Sequence, residues 1–307
     1  MGNNELYLQA REPYYNDYVE IAEGTYWVGF VDEKAGLHCN PYLIVDGDEA
    51  VLIDSGSRND FSTVMLKIMR TGTDPRNIKR LIYQHYDPDL CGNILHMEAL
   101  IGNEDLKILS HRDNNEFIKY YSTKTPRENI EDRGFTYRFS SGRELRFIQI
   151  PYSHAPGSFV TYDTKTKVLF SSDLFGSYDA DWSLYSSIIE KCGFCVPERS
   201  CSETNMACQI LGILDFHKRI MTSTKALRYA LRQLAGLEYS LIAPQHGSLL
   251  HTSMIQEIVI KRLGMLDEVG IDQLPDEAGI DQLLDEVGID QLLDEVGIDQ
   301  LLEENDA

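Results

Sequence analysis

A mixed α and β fold, in which strands alternate with helices, is what this sequence predicts, and three observations predict it. Short β-rich runs recur as far as residue 247, helical stretches separate them, and His or Asp residues stand where strands end. An α/β scaffold carries its chemistry on such strand-end loops.

In order, TYWVGFV (25–31), YLIVDG (42–47) and AVLIDSG (50–56) are strands divided by turn residues such as Asp46-Gly47-Asp48. FSTVMLKIM (61–69) has helical spacing and is stopped by Gly72 and Pro75. RLIYQH (80–85) is a buried strand, residues 91–101 form a helix, and LKILSH (106–111) is a further strand. RFIQIPYSH (146–154), FVTYD (159–163) and KVLFSSD (167–173) repeat the strand pattern. STKALRYALRQLAG (223–236) is an amphipathic helix, LIAPQHG (241–247) a last strand, and a final helix runs to about Leu266.

With 307 residues the chain can build a proper core in one large domain or two modest ones. The net charge of −21 is unevenly spread: residues 266–307 hold 15 acidic residues and no Lys or Arg. Residues 1–265 carry 28 basic against 34 acidic groups, a balance of −6. Neither part has a basic stripe, which argues against a nucleic-acid partner. No run approaches the roughly 20 apolar residues of a spanning helix, so no membrane role is expected. The N-terminus lacks a secretory pattern, and Leu6 stands where myristoylation of Gly2 would want Ser or Thr. The expected location is cytoplasmic, with cysteines reduced or metal-bound.

Residues 266–307 form an acidic tail, set apart from a domain of residues 1–265. From Gly270 onward, GIDQLPDEA, GIDQLLDEV, GIDQLLDEV and GIDQLLEEN are four copies of a nine-residue unit. Each unit has a helical apolar face, but the stripe turns by about half a revolution per repeat, so no continuous face results. A Gly at each junction weakens a long helix by about 1 kcal/mol. A flexible or loosely helical appendage is expected, with docking to a partner as the sharper reading.

The chemistry is concentrated in YQHYDPDLCGN (83–93). His85, Asp87 and Asp89 stand two apart, and Pro88 is expected to keep them off a helix. Two adjacent carboxylates repel one another unless a cation lies between them. A polar turn after a strand is the plain alternative, but His154, Asp173 and His246 also follow strand-like runs. Three imidazoles and three carboxylates suit a pair of ions, with the isolated Asp173 as the natural bridge. So anionic a set favours iron or manganese over zinc, although two-metal hydrolases use mixed ligands too.

The order H-x-D-x-D, then His, Asp and His resembles the metallo-β-lactamase superfamily. Within it the chain most resembles the flavodiiron proteins and the oxygen-binding diiron proteins (ODP), of the flavin-free type. These use H-x-[ED]-x-D where most other members have H-x-H-x-D-H. LHCNPYLIVDGDEAVLIDSG resembles the family's opening strands, and QHYDPDLCGN its flavin-free form of the first motif. SHAPGSFVTYDTKTKVLFSSDLFGSYD, with 18 residues between His154 and Asp173, and APQHGS resemble the later ligand segments. The resemblance spans roughly residues 20 to 262.

It implies an α+β, metallo-β-lactamase-like αββα sandwich: two mixed sheets packed face to face, helices outside, and two iron ions at one edge. Carried over, His85, Asp87 and His154 would hold one iron, Asp89 and His246 the other, and Asp173 would bridge. The family commonly has a further His where Leu90 stands, which leaves the second iron one imidazole short. After His246 about 60 residues remain, much of them repeats, so no flavin site is expected and electrons would come from outside. The implied function is binding or reducing O2 or another diatomic gas, in a homodimer with a signalling or electron-transfer partner. The alternative is a two-metal hydrolase of a phosphodiester, such as a cyclic dinucleotide, or of an ester. Zinc or manganese would serve that chemistry.

Other residues have plainer readings beside their functional ones. Cys192, Cys195, Cys201 and Cys208 have the spacing C-x2-C-x5-C-x6-C, which matches no common signature. A second metal or redox cluster competes there with free thiols. Cys91 is expected to pack near the site without ligating. Asp54 and Tyr86 are expected beside the ligands, and Tyr178 beside the cavity. Gly92 and Gly247 are expected to permit tight turns. His38, His96, His111, His217 and His251 have ordinary structural explanations, with His111 the nearest to the pocket.

Overall fold

The computed structural model describes residues 15–30, 38–121, 124–178, 182–201 and 205–275. Twelve strands among them form two sheets. The first holds seven in sequence order: β1 (Val19–Ala22), β2 (Thr25–Trp27), β3 (Tyr42–Asp46), β4 (Glu49–Ile53), β5 (Ile78–Ile82), β6 (Lys107–Ser110) and β7 (Arg127–Asn129). Its first four strands pair antiparallel and its last four parallel. The second has β8 (Thr136–Arg138), β9 (Glu144–Gln149), β10 (Phe159–Asp163), β11 (Val168–Phe170) and β12 (Leu241–Ala243) in reverse order across the sheet. It is antiparallel except for the β11–β12 pair.

The period of two along each strand sorts side chains between layers. Tyr42, Ile44, Val51, Ile53, Ile82 and Leu109 face the second sheet and pack against Leu145, Phe147, Phe159, Val168 and Phe170. Their neighbours Leu43, Ala50, Leu52, Leu81 and Ile108 point outward. There they meet α1 (Phe61–Arg70) and α3 (Ile94–Ile101), which follows the one-turn α2 (Pro88–Cys91). α4 (Arg112–Ile118) follows β6. Beneath the second sheet, Val160, Leu169 and Ile242 pack against α5 (Gln209–Ile220), α6 (Thr224–Gln233) and α7 (Ser253–Gly264). This is the αββα sandwich of mixed sheets that the resemblance implies.

Several elements differ from the sequence expectation. The helix expected over 91–101 is two helices, because Gly92 and Asn93 separate α2 from α3. Strands β5, β9, β11 and β12 stop short of the His and Asp residues, which sit in the turns that follow. Residues 266–275 are seated on the body: Leu266 and Val269 are buried in the second sheet's outer core. Asp272 Oδ2 accepts from Thr224 N at 2.5 Å and so caps α6. The rest of the repeat tail, 276–307, lies outside the described residues. No helix among the described residues is long and apolar enough to cross a membrane.

Candidate metal centre

Four strand-end turns meet at one edge of the sandwich. After β5 the chain stays paired through Tyr83 N to Leu109 O at 3.2 Å, then turns at His85. Pro88 does not keep the motif off a helix: it opens α2, with Asp87 at the N-cap and Asp89 in the first turn. Proline suits that position because its missing N–H would have no helical partner. Leu90 N and Cys91 N donate to Asp87 O at 3.1 and 2.9 Å, which aims both carboxylates at the same edge.

The other turns are held in costly backbone conformations. His154 has φ 90° and Ser172, beside Asp173, has φ 55°. Such left-handed non-glycine residues persist only where surrounding contacts over-determine them, and they gather at functional sites. His85 Nδ1 and Ser172 Oγ are hydrogen-bonded at 3.0 Å, tying the first turn to the third. Gln245 N donates to Ser172 O at 2.8 Å, tying the third to the fourth. His246 Nδ1 donates to His38 O at 2.9 Å, which leaves Nε2 facing the carboxylates.

The six residues fall into two groups that share one carboxylate. Asp173 Oδ2 lies 3.3 Å from His154 Nε2 and 3.7 Å from His85 Nε2, whereas its Oδ1 lies 3.6 Å from His246 Nε2. Asp87 Oδ2 completes the first group, 3.0 Å from His154 Nε2 and 3.9 Å from His85 Nε2. Asp89 Oδ2 joins the second, 3.1 Å from His246 Nε2. Ligands about 2.0–2.2 Å from one ion lie roughly 3 Å apart, close to these separations. Asp173 Oδ1 is buried without a hydrogen-bond partner, a costly state that a cation would relieve. The donor set therefore fits two cations with Asp173 between them.

Electrostatics agree with that fit. Burial opposes the charged forms of Asp89, His154 and His246, yet the opposite charges prevail. Hydrogen bonding to His246 holds Asp89 down at about 2 against the penalty of burial. Asp87 and Asp173 hold His154 up at about 8, again against burial. Asp89, Cys39 and Asp173 hold His246 well above the usual imidazole range although it is buried. Among the described residues, every ion pair of these three carboxylates is with one of these three histidines.

The remaining sequence candidates divide. Asp54, buried at φ 52°, accepts from Gln84 N at 3.2 Å and braces the strand end before His85. Leu90 is fully buried in the apolar layer under the first sheet, and Tyr86 stacks on Phe117 with centroids 4.5 Å apart. Cys91 Sγ lies 3.8 Å from His85 O. Tyr178 packs on Phe216, which in turn packs on His246. His111 turns away to Gln149 and Glu131, and buried His217 accepts from Phe175 N at 3.0 Å. Gly247 has φ 81° and no room for a Cβ beside Ser177. Gly92 has ordinary helical dihedrals, and its requirement is space beside Pro88 O.

Among the described residues, two groups bring three ligand atoms within 4.8 Å of one another, and neither contains Cys192, Cys195, Cys201 or Cys208. One is His85, Asp87 and His154; the other adds Cys39 to Asp89 and His246. Sequence reasoning passes over Cys39, because no local pattern marks it and its partners come from the far end of the domain.

A sequence profile described as ODP family beta lactamase matches residues 37–247. An uncharacterised protein of Methanocaldococcus jannaschii is 27% identical over 260 residues, 79% of this chain and 59% of its own length. The anaerobic nitric oxide reductase flavorubredoxin of Pectobacterium atrosepticum is 25% identical over 253 residues, 75% of this chain and 44% of its own. The apo state of the chemotaxis sensor ODP from T. denticola superposes with TM-score 0.65 at 23% identity, covering 83% of this chain and 96% of that one. The chain spans 34% and 59% of the length of two curated relatives it matches.

Proposed function

This chain belongs to the ODP family of beta-lactamase-fold proteins, and from that premise we propose that it is a dinuclear non-haem iron protein that binds or reduces O2. The observation that carries the reading is the division of Asp173 between two histidine groups, one oxygen to each. Two ferrous ions held there would bind O2 and supply electrons to it. In this reading His85, Asp87 and His154 hold one ion, Asp89 and His246 the other, and Asp173 spans both. Ser172 and the His38 carbonyl fix the ring orientations of His85 and His246, so that Nε2 of each faces inward. Phe216 and Tyr178 supply an apolar wall beside His246.

The reading extends to a cytoplasmic homodimer served by an outside reductant or signalling partner. It keeps residues 266–307 as an appendage to the body of residues 1–265, with residues 266–275 seated on that body. The hydrolase reading would use the cleft of about 520 Å³ lined by Tyr178, Arg199, Asp215, Lys218 and Arg219, which none of the six ligands lines, so it is the second reading. One experiment separates the two: purification without oxygen, metal analysis, and visible spectra before and after air. About two irons per chain with new near-ultraviolet absorption on oxygenation is the expected result. Two zinc ions and no spectral response would leave the hydrolase as the working reading. Size measurement by light scattering tests the dimer.

A further inference from the structure

Leu90 occupies the place where the resemblance would put another imidazole, and it is buried in an aliphatic layer with nothing to donate. The second group nevertheless has a third donor. Cys39 Sγ, a carboxylate oxygen of Asp89 and a ring nitrogen of His246 all lie within 4.8 Å of one another. The thiol is only 6% exposed. From another side the unpartnered Asp173 Oδ1 points toward His246 Nε2 at 3.6 Å.

Cys39 is held in this position by its neighbours. Asn40 N donates to Gln245 O at 2.8 Å, and Asn40 Nδ2 donates to Pro244 O and Gly247 O at 3.0 and 2.9 Å. Asn40 Oδ1 accepts from Trp27 Nε1 at 2.8 Å, and His38 O accepts from His246 Nδ1 at 2.9 Å. The segment bearing Cys39 is thus stapled to the turn bearing His246, on both sides of the thiol.

We infer that the Cys39 thiolate is a ligand of the second metal ion, in place of the imidazole missing at Leu90. The inference rests on the two-metal reading. A thiolate is a softer, more strongly donating ligand than imidazole. It would add a negative charge to the Asp89 and His246 half of the site and favour the oxidised ion there. It also makes the two halves chemically unlike: nitrogen and oxygen in one, sulfur in addition in the other.

The test is anaerobic titration of the metal-free full chain with Co(II), in a Cys192→Ser, Cys195→Ser background that removes the CxxC pair remote from the site. Two equivalents should bind, the second bringing a near-ultraviolet thiolate-to-cobalt charge-transfer band. Cys39→Ser should abolish that band, keep the visible cobalt transitions of the first equivalent, and weaken the second by at least about tenfold. Cys91→Ser, which alters the other buried thiol near the site, should leave the band in place. Zinc-edge X-ray absorption of the chain loaded with two zinc ions gives a second reading that needs no change at Cys39, through a sulfur shell at about 2.3 Å. Two equivalents of cobalt without the band, a band that survives Cys39→Ser, or no sulfur shell would each overturn the Cys39 assignment and leave the two-metal site intact. Failure to bind cobalt at all would overturn both.

Discussion

Asp173 offers a different oxygen to each half of the site, so its replacement should affect both ions together. Asp173→Asn is expected to lower affinity for both by more than about tenfold, whereas Asp89→Asn should weaken mainly one. Metal titration followed by calorimetry distinguishes the two patterns. His154 supplies a pH signature for the metal-free protein. Its folded pKa, about 8, lies above the 6.5 of a free imidazole, raised by Asp87 and Asp173 against burial. Its contribution to stability, about 2 kcal/mol, is therefore full below pH 6.5 and is lost as pH rises through 8. Urea melts of the metal-free chain at pH 6 and pH 9 should show that loss, and His154→Gln should remove this part of it. Because metal must displace the same proton, loading at pH 7 should also acidify a weakly buffered solution.

The turns that carry the ligands depend on glycine and on side-chain staples more than on the strands before them. Gly247 combines φ 81° with contact against Ser177, so Gly247→Ala should displace the His246 turn. A loss of about 1–3 kcal/mol in stability and a weakened second metal equivalent are expected, read by thermal melts and metal analysis. At the far side of the second sheet, Asp272 caps α6 through Thr224, and Gly270 N donates to Lys218 O at 3.0 Å. Asp272→Ala should lower the melting temperature without changing metal content. The anchored segment Leu266–Leu274 reads LDEVGIDQL, and the same nine residues recur at 284–292 and 293–301. Leu266 and Val269 are pinned by burial and Gly270 by a bridge to Ser223, whereas Ile271 and Leu274 face outward, so the first half of this segment is ordered by the body it meets.

Across the whole molecule the two sheets are clamped at the end opposite the metal edge by a buried ion pair. Arg143, 1% exposed, pairs with Asp163, 0% exposed, and its guanidinium also donates to Thr25 Oγ1 at 2.9 Å and Val45 O at 3.4 Å. Arg143 thereby joins the first sheet to the second. Asp163→Ala would leave a buried cation with too few partners, at a cost of about 3–5 kcal/mol. Denaturant melts should show that loss while metal binding at the other end stays near that of the unchanged chain. The division of labour is physical: one end is closed by an Arg–Asp pair that joins the sheets, and the other gathers the six carboxylate and imidazole side chains.

What the sequence by itself determined follows from short-range rules. Beta-rich runs divided by turn residues marked the strands at 42–47 and 50–56, and helical spacing marked α1, α6 and α7. The six His and Asp residues were legible because each follows a β-rich run, and their type and order limit the chemistry they can perform. Element ends were less legible, since Pro88 reads as a breaker until its place at the first position of α2 is seen. Only the tertiary structure decided which oxygen of Asp173 faces which histidine, that Leu90 faces the apolar layer, and that Cys39 joins Asp89 and His246. Those facts depend on contacts between segments remote in sequence, such as Asn40 with the 244–247 turn, and no local pattern encodes them.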